Sequence, residues 1–153
     1  ARWAKVEKLE VGSSSANPSA QRDASDAAHA LQQGRRDDAL ALLTAAAHRH
    51  PDHAPIHNLL GVAKRQAGDF AAARAAYERA LAIDAANASA AINLGILHDL
   101  YLGDATRAAE LYAAYLALTP QGDGAVTKWL AELKNRKAAP KVAATDNTLK
   151  DVR

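Results

Sequence analysis

The chain repeats itself at an offset of 34 residues. Aligning 58–87 with 92–120 brings Leu60-Gly61 onto Leu94-Gly95, Gly68-Asp69 onto Gly103-Asp104, Ala73 onto Ala108 and Tyr77 onto Tyr112. The later copy carries one extra residue before its glycine. The same offset upstream of Gly68 reaches Gly34, followed by Ala39 and Leu43, and Pro51 and Pro120 take the same late position in their copies. A unit of this length cannot bury an apolar face alone, so successive units must stack and share a core.

Composition says what the units are made of. Forty of the 153 residues are Ala, aromatics are 5%, and Phe occurs once. Ala is the best helix former and lets helices pack closely, whereas a sheet would need more Val, Ile, Thr and aromatic residues. The expected fold is therefore all-α. The spacing predicts helices near 20–33, 36–49, 54–67, 70–83, 88–102 and 105–118. Gly34, Gly68 and Gly103 are placed to end the first helix of each pair in a left-handed conformation. Asp69 and Asp104 follow as N-caps, and Pro51 and Pro120 stop the second helices. Asn87-Ala88-Ser89 is formally a glycosylation sequon, but Asn87 is better explained as a helix cap.

These residues resemble the tetratricopeptide repeat (TPR) family, whose pattern runs W-x2-L-G-x2-Y, a Gly turn, A-x3-F, a small residue and Pro. The units are Ala20–His53, Ala54–Asn87 and Ala88–Gly122. The middle unit matches best, through Leu60, Gly61, Gly68, Ala73, Tyr77 and Ala80, with His57, Lys64 and Ala85 departing from the pattern. The third puts Tyr115 where a small residue is usual, and the first has Asp26-Ala27 in place of Leu-Gly. The resemblance implies a solenoid of three helical hairpins in which Tyr77 and Tyr112 fill the wedge left by the small residues. The segment 123–136 spaces Val126, Trp129, Leu130 and Leu133 along one helical face. It reads as a capping helix against Tyr112 and Tyr115.

Two arms flank this middle. In 1–19, Trp3, Val6 and Leu9 stand three apart, compatible with a short docking helix, and VGSSSANPSA reads as a linker. The other arm, 137–153, lacks a sustained period, and Pro140 interrupts any helix entering it. Residues 128–153 hold seven basic and three acidic side chains, whereas 11–127 hold nine basic and twelve acidic. Scattered basic residues without interleaved aromatics do not make a nucleic-acid surface, and a solvated tail accounts for them. No run of about 18 apolar residues is present to span a membrane.

Reaction chemistry is not in evidence. Zero Cys excludes disulfides, thiol catalysis and Cys-based metal sites. There is no G-x-S-x-G, P-loop, HExxH or dinucleotide fingerprint. His48, His50, His53 and His57 fall within ten residues, but no second element fixes a metal geometry, and turn and packing roles explain them. No enzyme, metal or cofactor is expected.

What the resemblance implies instead is a peptide-binding groove lined by the first helices of the hairpins. Carried over by repeat position, its lining is Asn58, Val62, Arg65, Gln66, Ile92, Asn93, Ile96, Asp99 and Lys128. Val62, Ile92 and Ile96 are its apolar seats. Asn93 and Lys128 fall on positions that clamp a carboxylate in some TPR cochaperones, but Val62, Asn58 and Gly124 stand where the other clamp residues would be. The expected function is a non-catalytic adaptor that holds a partner's peptide or helix. By family analogy, and from a start at Ala1 that suggests export, it would be an accessory factor of a bacterial pilus, secretion or export assembly in the periplasm. The alternative is a structural subunit that docks onto copies of itself through its arms.

Overall fold

The computed structural model describes residues 5, 7–9 and 17–138. Among them are seven α-helices and no strand: α1 (Pro18–Gln32), α2 (Arg36–Arg49), α3 (Ala54–Gln66), α4 (Phe70–Ile83), α5 (Ala88–Leu97), α6 (Ala105–Ala117) and α7 (Gly124–Ala138). A π-helical turn, His98–Leu102, continues α5. The pairs α1–α2, α3–α4 and α5–α6 are hairpins; their first helices adjoin one another along one side, and α7 packs on α6.

Local chemistry ends and starts the helices where the sequence indicates. Gly34, Gly68 and Gly103 have φ of 76°, 83° and 67°, a region that L side chains avoid. Asp69 Oδ1 accepts from the Ala72 amide at 3.1 Å, Asp104 Oδ1 from Arg107 at 3.0 Å and Asn87 Oδ1 from Ala90 at 3.0 Å. One start differs from expectation. Helix α1 begins earlier, at Pro18, because Asn17 caps it through the Ala20 amide at 3.1 Å and Pro fits the first turn. Helix α7 is capped by Asp123, whose Oδ1 accepts from Ala125 and Val126.

The glycines inside the hairpins are set by aromatic rings. A Cβ on Gly61 would stand 2.5 Å from Cδ1 of Tyr77, and one on Gly95 would stand 2.7 Å from Cε1 of Tyr112. Both tyrosines are fully buried. The extra residue of the third unit is absorbed by the π turn, which adds one residue per turn without breaking the helix. The core forms two main clusters. One joins the Ala-rich faces of α1 and α2 to Ile56, Leu59, Val62 and Tyr77. The other joins Ile92, Ile96, Tyr112 and Tyr115 to Val126 and Leu133 of α7. Trp129 and Leu130 lie partly buried beside the second, and the Trp129 ring meets Tyr112 at 5.7 Å. The bulk of Tyr115 serves that junction, since its hydroxyl donates to Asp123 Oδ2 at 3.0 Å.

No helix among the described residues is long and apolar enough to cross a membrane. The segment 139–153, and with it nearly all of the basic arm, lies outside the described residues, as do Trp3 and Val6. The docking helix expected over Trp3–Leu9 is not what the described part forms. Lys5 and Glu7–Leu9 belong to no helix. Anchors at alternate positions, described next, hold this stretch against the solenoid and leave no helical spacing.

Candidate functional site

The inner side of the hairpins holds Lys5 and Glu7–Leu9 of the same chain. Three sets of contacts fix them, each from a different part of the repeats.

The first set grips the main chain. Asn58 on α3 and Asn93 on α5, one position out of step in the repeat alignment, are fully buried. Asn93 Nδ2 donates to Asn58 Oδ1 at 2.9 Å, so the amides orient each other. The pair then closes on Lys8. Its amide donates to Asn93 Oδ1 at 2.7 Å, and its carbonyl accepts from Asn93 Nδ2 at 2.8 Å and from Asn58 Nδ2 at 3.3 Å. Buried amides without partners would cost about 1–3 kcal/mol each, so this face demands a main chain across it.

The second set reads an acid. Arg65 donates to Glu7 Oε1 from Nε at 2.8 Å and from Nη2, while the Tyr77 hydroxyl donates to Oε2. Burial, and then the neighbouring Glu7 charge, push the Tyr77 phenol well above its ordinary range, which keeps it a donor. The guanidinium of Arg65 also lies 5.6 Å from the Tyr101 ring, which stacks on Phe70 at 4.8 Å. That aromatic shelf fixes where the cation stands.

The third set reads a cation. Asp99, in the π turn, pairs with the Lys5 ammonium. Their side chains are 1% and 0% exposed. The Tyr112 hydroxyl donates to Asp99 Oδ2 at 2.9 Å and Arg136 reaches Oδ1 at 3.3 Å. The ammonium lies 5.3 Å from the Tyr112 ring and 5.1 Å from the Trp129 ring, within cation–π range. Beyond these sets, Leu9 packs against the larger apolar cluster.

The expected lining is thus brought together in part. Asn58, Arg65, Asn93 and Asp99 all touch the segment. Val62, Ile92 and Ile96 are not open seats; they are buried within the two core clusters. Gln66 is half-buried at the edge, beside an open depression of about 440 Å³ lined by Arg36 and Arg65 among others. Lys128 is exposed and makes no described contact with the segment. Sequence reasoning assigned Tyr77, Tyr112 and Trp129 to packing alone and missed their polar and cationic contacts. The signal was present in the hydroxyls and the indole, since buried Tyr seeks a partner for its O–H.

Two of the clustered histidines have local partners. His57 Nε2 donates to the Pro51 carbonyl at 2.8 Å, and His50 lies 3.3 Å from both the Asn17 amide and Asp23 Oδ2. Among the described residues no group of three His, Asp or Glu side chains could hold a metal ion.

No curated protein matches the chain. Solved structures do. The first TPR of Spaghetti (RPAP3), bound to the HSP90 peptide SRMEEVD, is 20% identical, with 78% of this chain and 94% of that chain covered and a TM-score of 0.71. The Yersinia enterocolitica type III secretion chaperone SycD, in complex with a peptide of the translocator YopD, is 16% identical, with 80% and 97% covered and a TM-score of 0.70. The first TPR domain of human RPAP3 is 20% identical, with 80% and 94% covered and a TM-score of 0.71. These are likenesses of fold. A tetratricopeptide-repeat family model matches residues 25–88 and again 63–123. With its hairpins, its glycine turns and its Gly61–Tyr77 and Gly95–Tyr112 contacts in the matched region, the chain belongs to the tetratricopeptide repeat family.

Proposed function

We propose that this protein is a non-catalytic interaction adaptor that holds a non-helical segment of a partner protein along the inner face of α3 and α5. The observation that carries the reading is the Asn58–Asn93 pair, which closes on the amide and carbonyl of one residue and ignores its side chain. A main-chain grip of this kind receives any polypeptide of suitable conformation. Two of the similar folds, SycD and RPAP3, were solved with peptides, which supports the reading at the level of the family. The narrower setting, an accessory role in a bacterial envelope assembly, draws support from SycD, described as a type III secretion chaperone.

The test is affinity capture with the full chain. Asn58→Ala/Asn93→Ala should lose a partner that the native chain retains, while Lys5→Ala/Glu7→Ala, which frees the face, should retain more of it. Capture indifferent to both double variants ends the reading.

A second reading has its own observation. The face is occupied by residues of the same polypeptide, so a neighbouring copy could supply that segment and build a self-associating structural subunit. Light scattering across concentration separates the two. Growth that disappears in Lys5→Ala/Glu7→Ala supports the subunit, and a constant monomer mass excludes it.

A further inference from the structure

The geometry points to a charge-ordered recognition site: the inner face selects a non-helical segment bearing Lys, any residue, then Glu, in that direction, with Lys5 and Glu7–Leu9 as its built-in occupants. The inference rests on the proposed peptide-binding role and names the partner's chemistry.

The argument begins with what the two side-chain sockets tolerate. Asp99 is a carboxylate buried in the π turn, and the Lys5 ammonium paired with it lies against the Tyr112 and Trp129 rings. A buried charge is costly unless paired and hydrogen-bonded, and two ring faces at the position of the partner favour an ammonium over a neutral group. Arg65 and the Tyr77 hydroxyl converge on the other socket, where all the described donors suit a carboxylate. The Glu7 side chain filling it is 6% exposed.

Spacing and direction follow. Lys5 and Glu7 stand two apart, and Leu9, two further on, meets the apolar cluster. In an extended chain such residues share a face. Lys8 falls between, and its described hydrogen bonds are made by its main chain. The pattern read is therefore Lys-x-Glu-x-Leu, with specificity concentrated in the two charged positions. Exchanging those charges would set a carboxylate against Asp99 and an ammonium against Arg65. Both clashes act as repulsive discrimination.

The experiment uses two fluorescein-labelled synthetic peptides of identical composition. One is ARWAKVEKLE, the chain's residues 1–10; the other, ARWAEVKKLE, has the two charges exchanged. Anisotropy is followed with the full chain carrying Lys5→Ala/Glu7→Ala, which removes both competing anchors. The first peptide should bind about tenfold or more tightly than the second, and Asp99→Asn added to the same chain should shrink that ratio. Equal affinities overturn the charge order while leaving peptide binding standing. No binding of either peptide overturns both.

Should these variants fail to fold, the native chain decides by lysine acetylation. Lys5 should be modified far more slowly than exposed Lys128, and excess ARWAKVEKLE, but not ARWAEVKKLE, should speed its modification by displacing the segment. Equal rates for Lys5 and Lys128, or acceleration by both peptides alike, count against the inference.

Discussion

Gly61 and Gly95 illustrate how little freedom a single position has in this fold. Each sits under a buried tyrosine ring whose atoms occupy the space a methyl group would need. Gly61→Ala must push Tyr77 outward and, with it, the hydroxyl that meets Glu7. Overpacking of this kind costs roughly 1–3 kcal/mol. Denaturant titration should show that loss, and acetylation of Lys5 should quicken if the segment loosens with the ring. His98 offers a pH-dependent counterpart. It is buried, its Nδ1 has no hydrogen-bond partner among the described residues, and desolvation outweighs the attraction of Asp104 to lower its pKa. His53 is lowered as well, by burial and then by His50 and His57. Both groups take up protons more readily when unfolded. Stability is therefore full above the ordinary histidine value of about 6.5 and falls as pH drops through the lowered folded values. Thermal melts of the native chain should shift down over that window, and His98→Gln should flatten the slope.

Among the elements, α7 and the π turn separate what the sequence discloses from what it conceals. The apolar spacing of Val126, Trp129, Leu130 and Leu133 disclosed the helix and its buried face. The double role of Asp123 was concealed, as cap to Ala125 and Val126 and as acceptor for Tyr115. Asp123→Ala should cost about 1–2 kcal/mol by removing the cap and an acceptor of the Tyr115 hydroxyl. A double-mutant cycle with Tyr115→Phe should show coupling between the two positions. The extra residue of the third unit was visible as a broken period, but period alone does not say whether a loop or a helix absorbs it. The helix does, and Asp99 stands within the irregular turn. The repeat offset likewise placed Asn58, Arg65, Asn93 and Asp99 on one face. It could not disclose what lay against them, since the contacts join residues up to 94 positions apart.

For the whole molecule, the strap formed by Lys5 and Glu7–Leu9 changes how the repeats depend on one another. A solenoid's stability is close to a sum of units and neighbouring interfaces. Here a single short stretch touches Arg65 of α3, Tyr77 of α4, Asn93 of α5, Asp99 of the π turn and Trp129 of α7. It adds coupling between units that are not neighbours. Lys5→Ala/Glu7→Ala should lower the unfolding midpoint and make the transition broader. Hydrogen exchange should show α5 to α7 opening apart from α1 to α4, where the native chain opens them together. A variant with a midpoint and breadth unchanged from the native chain would remove the strap from the stability of the fold.

The asparagine pair carries a consequence for inheritance. Because it holds an amide and a carbonyl, substitutions at the clasped residue other than to proline leave the grip intact. A client is thus at liberty to drift there through generations, while changes at the two ionic neighbours must arise in step with Asp99 or Arg65, or the association lapses.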